Sequence, residues 1–169
     1  MPEVRTEILV IGVGNLLMTD DGVGIHAVNE LRKEKFDPGV KVVDGGTTGI
    51  DLFFWLEDAC FAIIIDCVEA KAKPGTIIRL RVEETLSELK KNIISLHEIG
   101  IGEVLFEANR LGKLPPTVIY GVQPEEISLG SNLSQVVKNS LPRLVDLVKQ
   151  EINTAKILVK NRLELQDSV

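Results

Sequence analysis

Asp20 and Asp21 close a glycine-rich stretch, Gly12-Val13-Gly14-Asn15-Leu16-Leu17-Met18-Thr19-Asp20-Asp21-Gly22-Val23-Gly24, which follows the apolar run Ile8-Leu9-Val10-Ile11. A glycine-rich turn between a strand and a helix ordinarily cradles phosphate on bare backbone N–H groups. Two carboxylates at that place repel phosphate and suit a cation or acid–base chemistry. Further acids stand at comparable places. Asp44 ends a second apolar run, just before Gly45-Gly46-Thr47-Thr48-Gly49, and Asp66 ends Ile63-Ile64-Ile65. His97 lies in Ser95-Leu96-His97-Glu98. Two carboxylates and one imidazole make an open site for a borderline divalent ion, with positions left for water or substrate, as metal-assisted hydrolysis requires. Without metal, two close carboxylates can share a proton and act as acid and base. Both chemistries are open to these residues.

The elements that must position them alternate along the chain in the α/β manner. Strands are expected at Glu7–Val13, Val40–Asp44, Ala62–Asp66, Thr76–Val82 and Val118–Val122, and helices at Gly22–Lys35, Ile50–Asp58, Glu98–Leu111 and Leu133–Ile152. In a parallel sheet the residues just after each strand gather along one edge. Asp21 and Asp66 face each other there if strands 1 and 3 are neighbours, and His97 reaches them if the long connection folds back. Thr76–Val82 follows the short turn Lys71-Ala72-Lys73-Pro74-Gly75, with no room for a crossover helix, so it should pair antiparallel at an edge. Residues Glu83 to Leu96 are weakly patterned and long for a loop. The last helix keeps its apolar stripe on both sides of Pro142, and the tail from Asn153 to Val169 either extends it or frays.

Each candidate also has a plain structural reading. Asp20 or Asp21 can cap a helix, and Ser95 with Glu98 fits a capping box that leaves His97 in a first helical turn. Asp44 can be a simple loop residue. Asp66 is harder to dismiss, because it interrupts an otherwise apolar strand at the functional edge. His26 shares a helical face with Asn29, Glu30 and Lys33, which predicts a solvated side chain. Cys60 and Cys67 read as small buried hydrophobes, with Cys67 turned away from Asp66.

The 169 residues fit one domain, here placed at 1–152 with a tail at 153–169, large enough to bury a core without disulfides. A net charge of −6 argues against nonspecific binding to nucleic acid or to an anionic membrane. No signal peptide or membrane span is legible, and two cysteines without CxxC spacing fit a reducing cytoplasm. A nucleotide-binding doubly wound protein is the main rival reading. Gly12-Val13-Gly14 and Asp44 imitate a dinucleotide site, but Leu17 stands where GxGxxG needs its third glycine.

Taken in series, these motifs resemble the hydrogenase maturation endopeptidases. The likeness runs from about Ile8 to Val148. Beyond the acids and glycine loops it includes Pro74-Gly75-Thr76, Ser95-Leu96-His97-Glu98 and Gly121-Val122-Gln123-Pro124. The resemblance implies a single three-layer α/β/α sandwich on a twisted, mostly parallel five-stranded sheet with one antiparallel edge strand. It implies that Asp21, Asp66 and His97 are the metal-binding and catalytic trio, with Asp20 and Asp44 as neighbours of unassigned role. Gly45, Gly46, Thr47, Thr48 and Gly49 become a substrate-contacting loop. The implied substrate is the nickel-loaded large-subunit precursor of a nickel–iron hydrogenase, trimmed at its C-terminus in the cytoplasm. The nickel is presented by that substrate, and a surrogate divalent ion can stand in for it. A monomer is expected. A noncatalytic chaperone of the metal-loaded subunit would use the same residues.

Overall fold

A computed structural model describes residues 7–47, 49–86 and 101–166. The continuous apolar runs form strands because both of their faces are covered. Every residue of β1 (Ile8–Val13), β3 (Phe61–Cys67) and β5 (Thr117–Val122) is buried, as expected of interior strands in a parallel sheet with helices on each side. β2 (Val40–Gly46) and β4 (Ile77–Arg81) are only partly buried, and they form the two edges. The five strands run in the order β2-β1-β3-β5-β4, parallel except for β4 against β5. The antiparallel edge strand is as the sequence predicts, and strands 1 and 3 are neighbours, the condition under which Asp21 and Asp66 face each other.

Side chains alternate between two cores, one on each face. Ile8, Val10, Ile63, Ile65, Cys67, Val118 and Tyr120 pack against α1 (Val23–Leu31) and the long α4 (Gln135–Gln166). Leu9, Ile11, Ala62, Ile64 and Ile119 pack against α2 (Ile50–Glu57) and α3 (Ile101–Arg110). This is the three-layer α/β/α sandwich. From β1 the chain passes through α1 outward to β2, whereas from β3 it turns toward β5. The ends of β1 and β3 therefore flank a topological switch point, where open α/β sheets place their ligands.

The helices differ from expectation mainly at their ends. α1 stops at Leu31 rather than Lys35, since no apolar residue from 32 to 35 ties the chain to the sheet and the last turns tighten. A 3-10 turn, Thr19–Gly22, precedes it. Residues 82–86 are helical, where the sequence places the last residue of a strand at Val82 and a weakly patterned stretch from Glu83. α4 keeps Pro142 inside it and continues past Ile152, with Ala155 and Val159 buried in the same core. It is fastened to the opposite sheet edge by an internal brace. Arg79 of β4 donates to the Glu151 carboxylate at 2.7 and 2.9 Å, and the Tyr120 hydroxyl of β5 donates to it at 2.7 Å.

Candidate active site

The glycine-rich loop is shaped by close packing. A Cβ at Gly12 would lie 2.1 Å from the Gly24 carbonyl oxygen, and one at Gly24 would lie 2.3 Å from that of Ile65. The start of α1 therefore sits directly on the ends of β1 and β3. Gly14 has φ +142, and a side chain there would meet the Asp21 carbonyl oxygen at 2.0 Å. The chain turns back on itself here, which carries the 3-10 turn and its two acids over the switch point.

Most of the loop's amide donors are already engaged. Asn15 N–H donates to Asp21 Oδ2 at 2.9 Å, Leu17 N–H to Asn15 Oδ1 at 2.9 Å, and Gly14 N–H to the Gly46 carbonyl at 2.8 Å. A phosphate would find few donors to turn toward it and an unfavourable charge, which undercuts the nucleotide-binding reading.

Asp21 and Asp66 are brought together at this edge, 4% and 3% exposed. Asp66 Oδ1 accepts the Cys67 N–H at 2.8 Å. Burial pushes the Asp66 carboxyl well above the usual carboxylate range, the nearby Asp21 charge adds to the shift, and the Cys67 hydrogen bond opposes it only in part. Two acids so placed concentrate negative charge in a buried spot, which favours a proton on Asp66 or the acceptance of a cation. Their oxygens suit a borderline divalent ion. The one nearby thiol, Cys67, points into the α1/α4 core as predicted.

Of the proposed substrate loop, Gly45, Gly46, Thr47 and Gly49 lie along the same edge, joined to the acidic loop through Gly14 and Gly46. Thr48, His97 and the Ser95–Glu98 capping box lie outside the described residues. Among the described residues, no group of three His, Cys, Asp or Glu side chains could hold a metal ion.

Asp20 has a different task from Asp21. Fully buried, its carboxylate accepts the backbone N–H groups of Glu125, Glu126 and Ser134 at 2.9, 3.0 and 2.7 Å, and the Ser134 hydroxyl at 2.8 Å. It locks the 125–134 segment and the start of α4 to the acidic loop. Asp44 is exposed and closes a local turn, its Oδ1 accepting the Gly46 N–H at 2.9 Å.

His26 departs from expectation. It is half-buried, because the chain near Ser131 covers that face of α1 and offers it a backbone hydrogen bond. Its Nε2 is buried without a hydrogen-bond partner among the described residues, and burial lowers its pKa against the opposing pull of Glu30 and Ser131. Gln123 has a positioning role that its sequence context left unread. Its buried amide accepts the Ala70 and Ala72 N–H groups at 2.8 and 3.2 Å and donates to Glu69 at 3.0 Å, fixing the connection after Asp66.

A doubly wound sheet with a buried acid pair at its switch point, and no phosphate cradle, defines a site for hydrolytic or cation chemistry. Comparison with known proteins gives the family. The hydrogenase maturation protease family matches residues 25–151. The hydrogenase expression/formation protein HupD of Bradyrhizobium diazoefficiens is 33% identical over 158 residues, which is 92% of this chain and 82% of that one. The hydrogenase 2 maturation protease of Escherichia coli is 36% identical over 134 residues, 78% of this chain and 81% of that one. The solved structure of the hydrogenase maturating endopeptidase HybD from Escherichia coli superimposes with a TM-score of 0.80 at 31% identity, covering 88% of this chain and 93% of that one. The chain belongs to the hydrogenase maturation protease family, and its activity is that of a processing peptidase.

Proposed function

We propose that this protein removes the C-terminal extension of a nickel–iron hydrogenase large-subunit precursor, and that the nickel carried by the precursor licenses the cut. The observation that carries this reading is the pair Asp21 and Asp66, buried together at the switch point with the Asp66 carboxyl raised well above its usual range.

In this reading the precursor's nickel is part of the substrate, and it supplies an anchor and a positive field beside the scissile bond. Asp21, held by the Asn15 N–H, and Asp66, held by the Cys67 N–H, offer the oxygens that receive it. His97 is assigned as the third member of the set. One carboxylate takes a proton from the attacking water as the new C–O bond forms. That proton passes to the departing amine nitrogen as the C–N bond breaks. The segment Gly45-Gly46-Thr47-Thr48-Gly49 lines the approach and guides the extended substrate. The reaction takes place in the cytoplasm, on a partner whose metal centre has just been filled.

Intact-mass measurement on nickel-loaded and nickel-free precursor tests both halves. Loss of a C-terminal peptide only from the loaded form is expected, and Asp21→Asn or His97→Ala should abolish it while leaving the thermal transition in place. Equal cleavage of both forms would remove nickel gating. Binding without any mass change would make the protein a chaperone of the loaded subunit.

A further inference from the structure

Close to the buried acid pair three leucines meet solvent. Leu17 is 63% exposed and Leu129 is 86% exposed, with Leu16, at 37%, next to Leu17 in the chain. These leucines come from segments more than a hundred residues apart, yet they do not ride on loose loop tips. Thr19 N–H donates to the Gly130 carbonyl at 2.7 Å, and Gly130 N–H donates to the Leu17 carbonyl at 2.8 Å, around a parallel bridge between Met18 and Gly130. Asp20 fastens the same two segments from beneath through Glu125, Glu126 and Ser134. A single exposed leucine is ordinary, but apolar side chains held side by side on a braced rim mark a surface that a partner covers.

This rim and the site share one stretch of backbone. Asn15 donates to the Asp21 carboxylate, and Leu16 and Leu17 are the next two residues. We propose that Leu17 and Leu129, with Leu16, form an apolar shelf that receives aliphatic side chains of the hydrogenase precursor segment carrying the scissile bond. The proposal rests on the function assigned above and names the surface by which the substrate is seated. A second copy of this chain fits poorly. Exposed Glu125 and Glu126 flank the shelf and the chain carries a net charge of −6, so self-association here would bring like charges together. The patch is also far smaller than the roughly 1,200–2,000 Å² that a stable protein–protein interface buries. It suits one docked segment, whose position over the acids is what the shelf would fix.

The test is steady-state processing of nickel-loaded precursor by the full-length protein and by Leu17→Asp, Leu129→Asp, the double variant and the conservative Leu129→Met. The double variant should raise KM about tenfold to a hundredfold, as expected for losing one or two buried leucine contacts, with kcat changed less than about twofold. Leu129→Met should stay within about threefold of the parent KM, because a methionine keeps the apolar area. Thermal unfolding reports whether each variant is folded, and Leu129, being so exposed, keeps at least one aspartate variant intact. An unchanged KM in a folded aspartate variant, or a loss in kcat alone, would overturn the shelf while leaving the peptidase reading in place. No cleavage by the unaltered protein would overturn that reading, and the shelf with it.

Discussion

Asp20 accepts four hydrogen bonds from residues 105 to 114 positions downstream, whereas Asp21 faces Asp66 across the switch point and is held by one amide of its own loop. Adjacent, equally buried and chemically identical, they are divided by their partners into a structural anchor and a member of the chemical pair. Asp20→Ala would leave three backbone N–H groups without an acceptor, so it should cost about 2–4 kcal/mol in urea denaturation. Asp21→Asn keeps an acceptor for Asn15 and removes a charge that raises the Asp66 carboxyl, so it should leave stability within about 1 kcal/mol while stopping cleavage. The reverse pattern, a silent Asp20→Ala with an unfolded Asp21→Asn, would exchange the two roles. Asp66 is legible from sequence because a carboxylate breaks an apolar strand. The task of Asp20 is not, since every hydrogen bond its carboxylate accepts comes from more than a hundred residues away in sequence. His26 is misread for the same reason: helical periodicity sees its neighbours on α1 and is blind to the segment near Ser131 that covers them.

At the scale of elements, the strands and the antiparallel edge follow from the sequence, because interior strands are largely apolar runs and a short turn forces β4 antiparallel. The order of the strands comes only from the structure. The tightness of the β1–α1 packing does not announce itself, since Gly12-Val13-Gly14 looks the same whether it serves a ligand or a crossing. Here it serves the crossing. Gly12→Ala would drive a methyl to 2.1 Å from the Gly24 carbonyl, backbone against backbone, and should destabilise the fold by more than about 3 kcal/mol or leave it insoluble on expression. The brace between β4, β5 and α4 makes a prediction in pH. Burial works to raise the Glu151 carboxyl, but the hydrogen bonds from Arg79 and Tyr120 outweigh it and hold the group below its usual 4.5. Its contribution is therefore complete above that value and fades as acid titrates it through its lowered pKa. Burial and the same carboxylate push the Tyr120 hydroxyl up to about 12 from 10.0, so its share persists to about pH 10 and is lost as the pH climbs through 12. Glu151→Gln should cost about 1–3 kcal/mol at pH 7, allowing for solvent screening of the partly exposed Arg79, and less at pH 3, below the usual 4.5. Parallel denaturation series for the two proteins at both pH values check this, and a pH-independent difference would show that the carboxylate charge is not what the brace uses.

The molecule as a whole keeps its chemistry at one end and much of its cohesion at the other. α4 begins at the site, where Ser134 hands its N–H to Asp20, and runs down the sheet to the far edge. There Leu158, Val159 and Leu163 line a cavity of about 570 Å³ with Cys60, Phe61 and Pro116, below the beginnings of the strands. Ala155 and Val159 are buried in the core shared with Ile8 and Phe61, so the helix beyond Ile152 acts as a clasp on the sheet's base. Among the described residues, that stretch packs with Ile8 and Phe61 at the beginnings of β1 and β3, the end opposite Asp21 and Asp66. Ending the chain at Ile152 should uncover Phe61 and the base of β1, and cost about 2–4 kcal/mol by the apolar area lost. Cleavage of nickel-loaded precursor well below the lowered melting temperature should keep kcat/KM within about twofold, since the acid pair is braced from its own side through Asp20 and Gly14. Urea denaturation beside initial rates at 15 °C separates the two effects. A truncated chain that is fully folded yet inactive would mean that the far end of α4 governs the site, and that base and edge are coupled through the whole length of the helix.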